Sequence, residues 1–381
     1  MLEVQKYLMS GKTLSDLTNE FGIHTNQYKT LVALNYDMID SPKSHPIVLD
    51  CRGLILEIGS WKVISYPFRR FFNINEVPEL TGDFDYSTAV GLQKLDGTLI
   101  ELFNYNDEWL MSTRMIIQND LKILFTDFTF LSLFHETVKH YQLLWQFLDK
   151  SYTYVFELTA PENRVVTIYD KRELHLLTVR NQFLKEVPLE ELQEWSRKIG
   201  VPIPIIVDIG NKQSIIDLAK NLATLEEGFV AVNYNQLEND GLSFKRIKIK
   251  NPSYVAIAHI KDRACSTRAL LGLIYDNQQD EFVGYFPEFA SIVNTIKTKW
   301  DSFLKRIEED ELKYMDTFQL DKKSFASNMK QWKNTSYMFM RYEKKVGSFK
   351  EFLNNLEKNK SRKYLEKYLV DCLQIKDVTF E

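Results

Sequence analysis

Cysteine pairs, metal-ligand spacings and long apolar runs are all missing from this sequence. Its three cysteines, Cys51, Cys265 and Cys372, stand far apart, which excludes a closely spaced zinc motif and leads to an expectation of three free thiols in a reducing compartment. No apolar stretch approaches the ~18 residues that cross a bilayer. The opening MLEVQKYLMSGKTLSDL is broken by polar residues where a signal peptide is continuously apolar, so a soluble, cytoplasmic protein is expected. There is no Gly-x-Ser-x-Gly and no His-Glu-x-x-His, and the 6 histidines are scattered, which favours structural roles for them. Gly11-Lys12-Thr13 spells the end of a phosphate loop, but Lys6 stands where that loop needs its first glycine. Low-complexity linkers and internal repeats are absent as well.

What is present suits a globular protein of two or three domains: 381 residues, 44% hydrophobic and 13% aromatic. The net charge of −4 is unevenly spread. Residues 312–370 hold 14 Lys or Arg against 6 Asp or Glu, a net of +8, which leaves −12 for the rest. Such a run is either a solvated helix face or a phosphate-binding surface.

Period-two stretches dominate from Pro46 to Phe103 (IVLDCRGLILEI, WKVISYP, QKLDGTLIELF) and return in YTYVFELTA, RVVTIYD, LHLLTVR, GFVAVNY and LSFKRIKIK. The first forty residues give only weak helix and loop signals. Helical spacing is expected over 115–148, over 189–199 and over 214–222. Strands without regular strand–helix alternation imply an α+β domain. Beyond Tyr254 the spacing becomes helical, as in WDSFLKRIEEDELKYM and SFKEFLNNLEKNKSRKYLEKYLV. The expected division is therefore residues 1–254 and an all-helical 255–381.

Lys94-Leu95-Asp96-Gly97 is the first candidate for chemistry. A lysine freed of its proton is a nucleophile toward phosphorus or a carbonyl, and a nearby glycine admits close backbone approach by a ligand. Alone, so short a pattern fits a surface turn better than a site. It is followed in order by YVFELTAPENRVV with Glu157, EEGFVAV with Glu227, and KIKNPSY with Lys248 and Lys250 on one strand face.

This series resembles the Lys-x-Asp-Gly motif and its successors in the covalent nucleotidyltransferase superfamily of RNA and DNA ligases and capping enzymes. DCRGLILEI with Arg52, and YPFRRFFNINE with Arg69 and Arg70, are similar to segments of the phage RNA ligase 1 (tRNA-repair) family, and the similarity covers about residues 36–255. Arg70 stands where that family commonly has lysine, and Arg114 is followed by Met115 where the family places glycine. The resemblance implies an ATP-grasp-like nucleotidyltransferase domain of antiparallel sheets with flanking helices. It implies ATP as cofactor, with AMP carried on Lys94, and Mg2+, or Mn2+ in its place. Arg52, Arg70, Lys248 and Lys250 would hold the phosphates, and Gln93 would stand near the adenine. Glu227 and Glu157 would serve the metal, Glu157 alternatively binding the ribose. Asp96 would support the metal site or a later step, or simply cap its turn. Arg69 is open between surface and RNA contact. The implied partners are RNA with broken ends, such as a tRNA nicked in a loop, and a separate end-healing kinase or phosphatase. Two rivals remain: a DNA ligase or capping enzyme, both of which usually continue into a β-barrel, and an RNA-binding relative that has lost catalysis.

Overall fold

The computed structural model describes residues 1–142, 144–263, 266–329 and 335–378. The chain divides into two compact units, Met1–Ala256 and Ile257–Glu381.

The first unit is built on three sheets. Ile23–Tyr28 (β1), Leu31–Tyr36 (β2), Arg52–Glu57 (β3) and Val63–Ser65 (β4) form an antiparallel sheet in sequence order. Next come Phe72–Asn73 (β5), Val90–Lys94 (β6), Thr98–Tyr105 (β7), Glu108–Ser112 (β8), Thr153–Thr159 (β9) and Glu173–Arg180 (β10). Ile206–Asp208 (β11), Gly228–Leu237 (β12) and Phe244–Lys250 (β13) complete the set. They divide into a five-stranded sheet, β11-β6-β12-β13-β5, and a four-stranded one, β10-β9-β7-β8. All pairings are antiparallel except β5 with β13.

Each sheet is covered by helices whose apolar stripe matches its face. The helix Leu14–Phe21 starts at a Thr13 capping box and stops at Gly22 in the left-handed region (φ 65°). It packs with Glu3–Met9 on the first sheet through Leu8, Leu17, Val32 and Leu54. Phe130–Val138 and Leu189–Ile199 cover the four-stranded sheet through Leu133, Phe134, Leu192 and Trp195. Lys212–Lys220 covers the five-stranded sheet through Ile215 and Ala219.

Local sequence misleads in four places. The IVLD expected as strand is the C-terminal part of a short helix, Pro46–Asp50, because Pro46 suits a first helical turn. RVVTIYD forms no strand; its backbone N–H groups at Val166 and Thr167 bind a side chain instead of a ladder. Helix is confined to the later part of 115–148, the earlier part being irregular and tied by isolated bridges. The weakly patterned N-terminus contains the β1–β2 hairpin, whose second strand is buried on both faces and so shows no alternation. Cys51 and Cys372 are free thiols; Cys265 lies outside the described residues.

Among its described residues the second unit contains helices and no strand, from Thr267–Tyr275 to Arg362–Leu373 around the 24-residue helix Ala290–Lys313. Its core is aromatic, with Phe282, Phe286, Phe325, Tyr337 and Phe352 buried at 2% exposure or less. Ser266, Asp321, Ser348 and Ser361 cap four of its helices.

One backbone position holds the centre of the five-stranded sheet. Gly228 lies opposite both Lys94 on β6 and Lys250 on β13. Its φ is +137°, and a Cβ there would come within 2.1 Å of the Ile249 carbonyl. Gly228→Ala is expected to destabilise the first unit by about 3 kcal/mol or more, since strain and backbone clash combine. Denaturant unfolding monitored by tryptophan fluorescence measures it.

Candidate active site

The tetrapeptide Lys94-Leu95-Asp96-Gly97 is the link by which the chain leaves one sheet for another. β6 ends at Lys94 in the five-stranded sheet and β7 begins at Thr98 in the four-stranded one. QKLDGTLIELF is therefore two strands with a corner between them. Asp96, buried at 5% exposure, fastens the corner. Its Oδ2 accepts from the Val166 and Thr167 N–H groups at 2.7 and 2.8 Å, and its Oδ1 accepts from the Tyr254 hydroxyl at 2.6 Å. Its own N–H donates to the Tyr169 hydroxyl at 2.9 Å. The carboxylate is thus a turn anchor aimed at protein groups. Gly97 allows β9 to lie directly against the corner, since a Cβ there would sit 2.3 Å from the Leu158 carbonyl, and its N–H donates to Glu157 Oε1 at 3.0 Å.

A cavity of about 220 Å³ opens beside this corner. Gln93, Lys94, Arg52, Glu157, Lys248 and Lys250 all line it. Leu99, Leu177, Val230 and Val232 supply an apolar wall beside the charged groups, the mixed lining usual in small-molecule pockets. Arg114 lines the cavity too, and so does Arg246, which sequence reasoning did not single out.

Glu227 joins the cations. Its Oε2 accepts from Lys94 Nζ at 2.5 Å and its Oε1 lies 2.8 Å from Lys250 Nζ, while the residue is only 4% exposed. The geometry follows from register: Gly228 faces both lysines across the ladder, so the residue before it reaches both ammonium groups. Asn251 holds that end of β12 in place. Its N–H donates to the Glu227 carbonyl and its side chain to Ala223 and Glu226 carbonyls.

The charges condition one another. Burial alone would raise the Glu227 carboxyl, but Lys94 and Lys250 outweigh it and hold it below the ordinary glutamate value. Burial raises Glu157 to about 7 against the pull of Lys94, with Glu227 adding like-charge repulsion. Burial, then the charges of Arg52, Lys94 and Lys250, push Lys248 well below the ordinary lysine value.

The PFRRFF segment divides its labour differently from expectation. Phe68 and Phe71 face the cavity and carry cations on their rings: Arg52 lies 5.6 and 5.1 Å from their centroids, Lys248 4.7 Å from Phe71 and Arg246 4.9 Å from Phe68. Arg70 does not line the cavity. It is 5% exposed and stacked 3.8 Å over Tyr36, whose ring Arg114 also approaches at 5.8 Å. Arg69 is partly buried and bridges Asp50 and Asp240 at 3.6 Å each. The strand pattern hides this, because the segment from 66 to 71 is irregular backbone. Arg246 is secured from behind by a two-pronged contact with Glu186, which Arg180 also neutralises. Tyr254 stands in the quoted KIKNPSY, four residues past Lys250, but its bond to Asp96 is a tertiary fact.

A family model described as RNA ligase matches residues 50–254. The chain belongs to that family. A putative bifunctional polynucleotide kinase/RNA ligase of Autographa californica nuclear polyhedrosis virus is 30% identical over 77% of this chain and 43% of the viral protein. The chain therefore spans less than half the length of that relative. An RNA ligase of Rhodothermus phage RM378 is 26% identical over 77% of this chain and 81% of its own. Among solved structures, an archaeal ATP-dependent RNA ligase superposes with a TM-score of 0.43 at 13% identity, covering 77% of this chain and 73% of that one. The resemblance carried by the motifs from Arg52 to Lys250 thus agrees with the family match.

Glu157 supplies a pH signature for this RNA ligase family member. Its folded value of about 7 exceeds its ordinary 4.5. At low pH the carboxyl is neutral folded or unfolded and carries no penalty; above about 7 it is ionised in both states and the penalty is complete. Stability therefore declines as pH rises through that window. Glu157→Gln, which keeps an oxygen for Gly97, is expected to leave stability nearly unchanged at about pH 4 and to raise it by on the order of 2 kcal/mol at about pH 8, read from urea unfolding at both values.

Proposed function

We propose that this chain is an ATP-dependent RNA ligase that joins 5′-phosphate and 3′-hydroxyl RNA ends through lysyl-AMP and RNA-adenylate intermediates. The observation that carries the reading is the convergence of Lys94, Lys248, Lys250 and Arg52 on one cavity with Glu227 at hydrogen-bond distance from the nucleophile. Lys94 Nζ forms a bond to the α-phosphorus of ATP, the bond from that phosphorus to its bridging oxygen breaks, and pyrophosphate leaves. The amine sheds a proton before attack, and Glu227 Oε2, 2.5 Å from Nζ, would orient the amine. Lys248, Lys250 and Arg52 neutralise the charge spread over the phosphate oxygens, which with in-line positioning supplies most of the acceleration in such transfers. The RNA 5′-phosphate then takes the AMP from Lys94, and a 3′-hydroxyl displaces AMP to leave a phosphodiester. Arg114 extends the cationic lining beyond Arg52.

A divalent ion fits the donor set. Among the described residues no three His, Cys, Asp or Glu converge, but magnesium is commonly held by one or two carboxylates with water and substrate phosphate. Glu157 has an oxygen not spent on Gly97 and would hold the ion, whereas both Glu227 oxygens are engaged by Lys94 and Lys250, so Glu227 would reach it through water. When bound, Mg2+ or Mn2+ would neutralise phosphate charge. Arg70 contributes to the phosphate site only at one remove, through Tyr36 and Arg114.

The helical unit, taken here as residues 255–381, is proposed to dock structured RNA, such as a tRNA broken in a loop. Lys358, Lys360, Lys363 and Lys367 on its last two helices and their junction are exposed, and among the described residues none forms an ion pair. Broken ends would be healed to 5′-phosphate and 3′-hydroxyl by a separate kinase or phosphatase; a polynucleotide kinase is named together with RNA ligase in the baculovirus relative.

Intact mass after incubation with ATP and magnesium is expected to rise by one AMP, and Lys94→Ala to abolish the gain; no gain with ATP, GTP or NAD would turn the reading toward an RNA-binding protein. Replacing the four lysines with serine is expected to leave the adduct intact while the log–log salt slope of RNA binding falls by about 2–3. Equal loss of adduct and joining would assign those helices a folding role.

A further inference from the structure

Glu101 takes no part in the chemistry above, yet it lies directly beneath it. It sits mid-way along β7 on the face shared with Leu99 and Phe103, since alternate strand residues point the same way. Leu99 lines the cavity, and Phe103 packs with Ala33 and Ile55 between the first sheet and the four-stranded one. Glu101 is therefore one rung below the cavity, facing β3 and β4. Its exposure is 0%.

Its two oxygens are treated unequally. Oε2 accepts from the Ser65 hydroxyl on β4 at 2.7 Å, whereas Oε1 has no hydrogen-bond partner. Oε1 presses on Gly53: a Cβ at that position would come within 2.5 Å of it. The residue immediately before Gly53 is Arg52, which lines the cavity and whose Nε and Nη1 are buried without partners. An unmatched acceptor on β7 and two unmatched donors on β3 thus lie on facing strands without pairing, close enough for Arg52 to act on the Glu101 charge. Buried polar groups are almost always satisfied, and an exception calls for an explanation. Burial pushes the Glu101 carboxyl well above its ordinary value, with Ser65 and Arg52 opposing.

We propose that Glu101 is the positioning residue of Arg52, its free Oε1 accepting from the inner edge of the guanidinium when phosphate oxygens engage the outer edge. A guanidinium is a rigid planar fork, so a carboxylate on one edge sets the direction of the other. The glycine at position 53 provides the room. This inference rests on the reading that Arg52 holds the nucleotide's phosphates.

The test is a double-mutant cycle on adduct formation, with half-saturating ATP and maximal rate measured separately and thermal unfolding recorded for each variant. Glu101→Leu is expected to raise half-saturating ATP about tenfold with maximal rate within about twofold. Glu101→Gln, which keeps shape and an acceptor oxygen without the charge, falls between. In an Arg52→Lys background either change is expected to shift half-saturation less than about twofold, because a group acting through Arg52 loses its effect when the fork is gone. A full tenfold effect persisting beside Arg52→Lys, or unchanged half-saturation in a normally melting Glu101→Leu, would overturn the inference. Should Glu101→Leu fail to fold, the isosteric Glu101→Gln decides by the same criterion. Absence of any adduct from the unaltered protein would overturn the nucleotidyltransfer reading and this inference with it, whereas additivity in an adduct-forming protein overturns the inference alone.

Discussion

The site depends on one shared carboxylate. Glu227 lies between Lys94 and Lys250, accepting from each, with almost no exposure to water. Two ammonium groups this close repel unless an anion stands between them, and a buried anion is equally unfavourable without its cations. The arrangement is therefore cooperative: register across Gly228 brings the lysines together, and Glu227 makes that register electrostatically tolerable. Lys94 held this way has its position fixed in advance.

Around that centre, aromatic rings and buried ion pairs do the placing. Phe68 and Phe71 separate Arg52, Arg246 and Lys248 from one another while offering each a ring face. Arg246 remains fully charged in a recessed place because Glu186 grips it and burial is thereby compensated. The corner at Asp96 is fastened to the loop after β9 and to Tyr254, so two chain segments distant in sequence converge on the four residues from 94 to 97. Such over-determination keeps the corner between the two strands rigid.

The helical unit shows the opposite economy of charge. Arg362 is saturated by Asp276, Glu357, Glu366 and the Gly272 carbonyl, and it ties three helices of that unit. The neighbouring lysines are left to solvent. The net positive stretch there combines paired cations, Arg341, Lys322 and Lys345 besides Arg362, with exposed lysines that form no ion pair among the described residues.

Much of the site was legible as text. Lys94, Glu157, Glu227, Lys248 and Lys250 announce themselves through residue type and order, and strand alternation alone puts Lys248 and Lys250 on one face. Helical periodicity separated the carboxyl third for the same reason: apolar spacing is a local property. What the text could not carry is anything set by contact between distant segments. That Arg70 turns to Tyr36 while Phe71 takes the cavity, that Asp96 spends its oxygens on Tyr254 and the 166–167 backbone, and that RVVTIYD abandons a strand to serve them are outcomes of competition for partners. Residue chemistry determined which groups could react. Tertiary packing, by choosing each polar group's partner, decided which of them face the cavity.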